Sequence, residues 1–299
     1  MFNTLSRLKH ISKSLIAHKA QMILSHLGYN IVPMNKYQPV DYRQSQKSAI
    51  EAFFDNGCSP VLVDVEPKQC RNALGIPFSS NCSYHFIKDI ANAKQKEEMR
   101  EVITKALKTY YNRYDFDNAI DFLGITAEEA PGLDGAPFLG YVHPWDKKRY
   151  DLAAQQRLRT LSKHAAVHGS NIKLKNIHIN AKDFQNLRID SEVNRIYKLI
   201  RSVSKNGYIP KTGYDENINV KILRNDNELA FFVLSGNHRL VVAEALKIEH
   251  IPVQVVRDVS LHDIHIWPQV QRGVISATGA HKILNRFLQG TPPPKLITE

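Results

Sequence analysis

Ser235-Gly-Asn-His-Arg239 gathers a hydroxyl, a glycine, an amide, an imidazole and a guanidinium into five residues. A continuous apolar run, Phe231 to Leu234, precedes it and reads as a buried strand. An apolar face on Leu240, Val241, Ala243, Ala245 and Leu246 follows and reads as a helix beginning at about Asn237 or His238. Ile251 to Val256 alternates and reads as a further strand. A strand, a tight turn and a helix N-terminus make a natural anion site, because unpaired N–H groups and the positive end of the helix dipole meet there. Gly236 would let the backbone approach a phosphate, Arg239 could fork onto its oxygens, and His238 could donate a hydrogen bond or move a proton. The expected phosphate-binding set is therefore Ser235, Gly236, Asn237, His238 and Arg239, with His238 also catalytic.

A carboxylate is the missing part. Glu192 and Asp190 open the apolar-striped segment Ser191 to Ser204, which reads as a helix capped by Asp190 or Ser191. Either acid could take or align the proton of a reacting hydroxyl. Acidic residues also belong at helix N-termini for the dipole alone, and that simpler reading is preferred.

Gly236-Asn-His-Arg239 followed by Ala-x-x-Leu-x-Ile-x-x-Ile-Pro-Val resembles the phosphate-binding box of the ParB/sulfiredoxin superfamily. Upstream, Ile177-His-Ile-Asn180 and the stretch from Ile189 to Pro210 resemble that superfamily's strand, helix and glycine turn. The resemblance covers roughly residues 170–260. Sulfiredoxins carry their reactive Cys at the position of Asn237, and this chain has no Cys after Cys82, so that activity is not expected. Partition proteins of the superfamily carry Glu-Arg-Arg where Asn237-His-Arg239 stands, followed by a DNA-binding helix-turn-helix for which residues 261–299 are too short. The Gly-x-His-Arg form is closest to the free-serine kinases of the superfamily. The resemblance thus implies a nucleotide, ATP or CTP with Mg²⁺, and phosphoryl transfer to a small hydroxyl-bearing acceptor. Glu192 is the second catalytic candidate only through that implied phosphoryl transfer. The alternative it implies is a module without turnover, in which nucleotide occupancy switches a surface for DNA, protein or membrane. A nuclease is a third reading, without a carboxylate cluster to support it.

The rest of the chain must position these groups. It has 299 residues, 43% of them hydrophobic, and a formal net charge of +11, which points to anionic partners. DNA is possible but not favoured. Cys58, Cys70 and Cys82 have neither zinc spacing nor a partner pattern, and fit a reducing cytoplasm. A metal site using His85 would lack a ligand pair at short spacing. Residues 2–27 read as a basic amphipathic helix, able to lie on an anionic membrane surface or to pack on its own domain. Its ending, Leu27-Gly-Tyr-Asn-Ile-Val-Pro33, is similar to the starts of bacterial proteins of surface-polysaccharide clusters. The expected location is cytoplasmic; packing of that helix on its own domain is the preferred reading, and a peripheral place at the inner membrane is the alternative.

The expected fold is α+β: a helical N-terminal region and a small ParB/sulfiredoxin-like mixed-sheet domain. The boundaries read as 1–33 for the basic helix, 34–169 for a mainly helical domain, 170–260 for the sheet domain, and 261–299 for a closing helix and tail. Within 34–169, Ser48 to Phe54 reads as helix, Pro60 to Val65 as a buried strand, Phe86 to Arg113 as one long helix, and Lys147 to His168 as another. Tyr110-Tyr-Asn-Arg-Tyr114 could stack on bases, but a buried helix end is preferred. His143, Trp145 and Asp146 fit either a substrate pocket or a loop plugged onto the core by Trp145, the second being preferred. His262 to Trp267 alternates as a strand does, and Gly273 to Phe287 reads as the closing helix.

Overall fold

Strand β5 (Leu229–Ser235) sets the layering of the molecule. Successive side chains of a strand point to opposite faces. Phe231 and Val233 enter one apolar cluster, and Ala230 and Phe232 enter another. The computed structural model of the chain describes residues 39–92, 98–167, 178–209 and 217–296. The basic helix expected over residues 2–27 and the Ile177 end of the expected 177–180 strand lie outside them.

The sheet has six strands: β1 (Val40–Asp41), β2 (Val61–Val65), β3 (Cys70–Arg71), β4 (Ile218–Arg224), β5 and β6 (Ile251–Ser260). Their order is β1-β2-β6-β4-β5-β3. β4 and β5 form an antiparallel hairpin, β4 runs parallel to β6, and β2 runs antiparallel to β6. The hairpin turn is held by Asn225, whose Oδ1 accepts from the backbone N–H of Asn227 (2.9 Å) and Glu228 (2.7 Å). The mixed sheet with helices makes this an α+β fold.

The described α-helices are α1 (Ala49–Asp55), α2 (Ile87–Ala91), α3 (Met99–Asn112), α4 (Ala119–Leu123), α5 (Tyr150–Val167), α6 (Ala181–Asn186), α7 (Ile189–Asn206), α8 (Asn237–Ala245), α9 (Pro268–Gln271) and α10 (Ala277–Gln289). One face of the sheet buries Ile218, Val220, Ile222, Phe231, Val253 and Val255 together with residues of α2, α3, α7 and α8. The other face buries Leu223, Phe232 and Val259 against Ile283, Leu284 and Phe287 of α10. Ser276 caps α10 by accepting from Gly279 N, and Arg71 of β3 donates to Phe287 O (2.8 Å) and Leu288 O (3.1 Å) at its other end. A cation on the last helical carbonyls favours the helix dipole, so β3 and α10 hold each other in place.

The structure departs from several expectations. β1, β2 and β3 come from the region taken as a separate helical domain, yet they share the sheet with β4–β6. Residues 38–299 form one unit, so neither 169/170 nor 260/261 is a domain boundary. The reason is that β6 needs β2 for its second hydrogen-bonded edge, and the second sheet face needs α10 to cover it. The stretch 86–113 divides into α2 and α3. Residues 178–180 lead into α6, with Asn180 as its cap, and are not strand. Leu261–Ile266 is a 3₁₀ helix and not a strand. Asp190 and Ser191 sit inside the first turn of α7, after Arg188 at the cap position.

Candidate functional site

α8 starts where the chain leaves β5, and Gly236 makes the corner. Its φ is +98°, and a Cβ there would stand 2.8 Å from Ile218 Cγ1. Only glycine suits that conformation and that closeness. The next two residues, Asn237 and His238, face a cavity of about 790 Å³, a volume in the range of small-molecule sites. Their neighbours on either side do not line it. Ser235 Oγ spends itself on the start of β4, donating to Asn217 O (3.5 Å) and accepting from Asn219 N (3.4 Å). Arg239 Nη2 donates to Asn217 O (3.1 Å), and Arg239 also bonds the Tyr208 hydroxyl. Of the five residues expected to hold phosphate, the fold therefore brings Asn237 and His238 to the cavity and turns Ser235, Gly236 and Arg239 to packing the hairpin against α8.

The wall opposite α8 comes from α7. Arg188, Ser191, Glu192 and Arg195 recur at steps of three and four residues, so they share one helical face, and all four line the cavity. Glu192 joins the two helices. His238 Nε2 lies 2.5 Å from Glu192 Oε2, and Arg188 Nη2 donates to Glu192 Oε1 at 2.6 Å. The phenol of Tyr111, on α3, bonds the same carboxylate. Burial pushes the Glu192 carboxyl up, but the charges of Arg188 and His238 outweigh it and hold the group well below the usual carboxylate range. Glu192 is thus a permanent anion at neutral pH. The contact fixes the orientation of the His238 ring through Nε2.

A second titratable cluster borders the same cavity. Asp146 Oδ2 accepts from His143 N (3.0 Å) and faces His143 Nδ1 (3.3 Å), and Lys221 Nζ donates to Asp146 Oδ1 (3.1 Å). Burial pushes the Asp146 carboxyl up, while the bonds from His143 and the Lys221 charge overcome it and hold the group low. Burial pushes the His143 imidazole down, against the pull of Asp146. Trp145 does not line the cavity. It is buried against Phe232, Trp267 and Phe287, with its ring 2° from parallel to that of His143. The two readings of residues 143–146 therefore both apply in part: Trp145 is a core plug, and His143 and Asp146 reach the cavity.

Among the described residues, Lys147, Lys148, Arg157, Arg188 and Arg195 line the cavity against two acids, Asp146 and Glu192. Both acids are already ion-paired, to Lys221 and Arg188. The remaining field is positive, as an anionic ligand requires. Sequence reasoning missed Arg157, Arg188 and Arg195. The four-and-three spacing of Arg188, Glu192 and Arg195 was the available signal. Arg157 had none, because its helix is placed against the cavity only by the tertiary fold.

The three cysteines are free thiols, Cys58 exposed and Cys70 buried, with burial raising the Cys70 thiol to about 12. His85 is also buried, between Phe78, Phe86 and Tyr110. Among the described residues no group of three or more His, Cys, Asp or Glu could hold a metal ion. Tyr110, Tyr111 and Tyr114 are buried at the end of α3, with Tyr114 OH donating to Tyr110 OH (2.9 Å). Among the described residues no helix is long and apolar enough to cross a membrane. No protein-family model, curated protein or solved structure matches this chain.

Proposed function

We propose that the cavity binds a phosphate-bearing small molecule, with ATP or CTP the first candidates, and that His238 moves a proton in phosphoryl transfer to a small hydroxyl-bearing acceptor. The observation that carries this reading is the His238–Glu192 pair at 2.5 Å on the wall of a 790 Å³ cavity with a surplus of Lys and Arg. In it, Glu192 accepts from Nε2 and fixes the tautomer, Nδ1 takes the acceptor's hydroxyl proton as the oxygen attacks the γ-phosphorus, and the bridging P–O bond breaks to release the nucleoside diphosphate. Arg188 keeps Glu192 ionised, which gives Glu192 a positioning role and leaves the proton to the histidine. The cationic lining offsets charge on the phosphoryl oxygens as they spread in the transition state. A strand, the Ser235–Arg239 corner, α8 and β6 in that order support a ParB/sulfiredoxin-like ancestry for this part of the chain.

The donor set does not fit a Mg²⁺ held by the protein. Such sites use one or two carboxylates, and both carboxylates here are engaged by cations. A Mg²⁺ accompanying the nucleotide would take its ligands from phosphate and water, and no step is assigned to it.

The test is calorimetric titration with ATP and CTP, with and without Mg²⁺, followed by assay of phosphate transfer to small alcohols and hydroxy amino acids. His238→Ala is expected to retain most nucleotide affinity and to lose transfer by about 10²-fold or more. Transfer undiminished in His238→Ala removes the catalytic role. Binding without transfer to any acceptor favours the nucleotide-switched module, and no binding of either nucleotide removes the reading altogether.

A further inference from the structure

Arg157 differs from the other cations of the cavity. Its Nη1 donates to two loop carbonyls, Leu139 O (2.6 Å) and Tyr141 O (2.8 Å), and its guanidinium lies 3.5 Å from the centroid of the Tyr141 ring. Tyr141 is itself stacked on Phe122 at 3.9 Å. The guanidinium plane is therefore fixed before any ligand arrives, at one edge by carbonyls and on one face by a ring. No carboxylate pairs with it among the described residues, whereas Arg188 is spent on Glu192. Lys148 lines the same cavity and donates to Gln156. A planar cation, pre-oriented, with no carboxylate partner among the described residues and bordering a cavity has the features of a bidentate oxyanion fork.

We propose that Arg157, with Lys148 on the lining of the same cavity, is the anchor for the phosphate chain of the ligand, and that the Ser235–Arg239 corner is not. This rests on the reading of the cavity as a phosphate site and names its binding residue. The ligand then spans from Arg157, which grips phosphate oxygens away from the reaction, to His238, which meets the hydroxyl. Holding the anion on a ring-stacked guanidinium costs little side-chain ordering, because the ordering is already present in the free protein. A lysine in its place keeps the charge but loses the fork and the stack.

The experiment is calorimetric titration of the full chain with inorganic triphosphate and with ATP, for the wild type, Arg157→Lys and Lys148→Met. Melting temperatures are measured without ligand. Arg157→Lys is expected to weaken both ligands by about tenfold or more, the size of one lost charge-assisted hydrogen bond. Its unliganded melting temperature reports separately on the two loop carbonyls. Lys148→Met removes a charge without touching the core and is expected to weaken triphosphate about threefold, a surface-charge effect that added salt reduces. Triphosphate affinity equal to wild type in Arg157→Lys overturns the inference and leaves the phosphate reading standing. If Arg157→Lys does not fold, unchanged triphosphate affinity in Lys148→Met overturns it instead. Failure of the wild type to bind either ligand overturns both.

Discussion

A single imidazole can carry opposite meanings, and burial decides which. His238 is held at Nε2 by Glu192 on a cavity wall, so its second nitrogen is available for chemistry. His85 borders the same cavity but is 6% exposed and packed among rings, and its Nδ1 has no hydrogen-bond partner among the described residues. Burial pushes its imidazole down to about 3, against ~6.5 in an unfolded chain. The unfolded state therefore takes up the proton first. The stability that neutral His85 allows is complete above about pH 6.5 and declines towards pH 3, by about 1.4 kcal/mol per unit. Burial moves His143 in the same direction. Glu192 and Asp146 have lowered carboxyls, so their contribution is present above about pH 4 and is lost below it, a separate window. Calorimetric melting temperatures are expected to fall from pH 7 to pH 5, and His85→Phe to flatten that slope. An unchanged slope in His85→Phe would show that His85 is not the group responsible.

At the scale of elements, the Gly236 corner is where sequence and structure give the same residue different work. The sequence suggests a backbone kept bare for phosphate. The structure shows φ +98° and Ile218 at 2.8 Å from an added Cβ, both packing demands. Gly236→Ala is thus expected to destabilise the fold by about 2 kcal/mol or more, combining left-handed strain with a core clash. Urea unfolding measures it, and full stability with lost triphosphate affinity would return the corner to phosphate binding. The same β5–α8 unit was legible in advance because its apolar periodicity changes from continuous to helical at a glycine. β4 is just as regular, with Ile218, Val220 and Ile222 on one face, and its alternation is readable in the sequence, though hidden in a segment read for its helix and turn. The division into α2 and α3 had a signal that was passed over, because the apolar stripe of 86–113 lapses over Lys94-Gln-Lys-Glu-Glu98 before resuming at Met99.

For the whole molecule, the resemblance of residues 170–260 to a self-contained family domain suggests a piece that folds alone. The sheet contradicts this. Val61–Val65 pairs with Ile251–Val255, Cys70–Arg71 pairs with Phe231–Phe232, and α10 covers Phe232 from beyond residue 260, with ring centroids 5.5 Å apart at Phe287. A fragment of residues 170–260 is expected to lack cooperative thermal unfolding and dispersed amide resonances, because it leaves two sheet edges unpaired and one face uncovered. A cooperative melt from that fragment would restore the domain boundary. The cavity has the same dependence on the whole chain, since Tyr111, Arg157, Glu192 and His238 come from four helices spread over most of the described residues.

The sequence alone determined the local elements around the corner, the mixed α+β class, the positive charge that favours anions, and His238 and Glu192 as candidates. All but Glu192 follow from periodicity, composition or a turn requirement that acts within some twenty residues, and Glu192 entered through the family resemblance. The tertiary structure decided that His238 and Glu192 meet, that Arg239 and Ser235 bond Asn217, that Arg157 borders the cavity, and that the first half of the chain completes the sheet. Those outcomes depend on which edges and faces remain uncovered once the local elements have formed, and strands far apart in sequence compete to cover them. No local pattern encodes the winner of that competition.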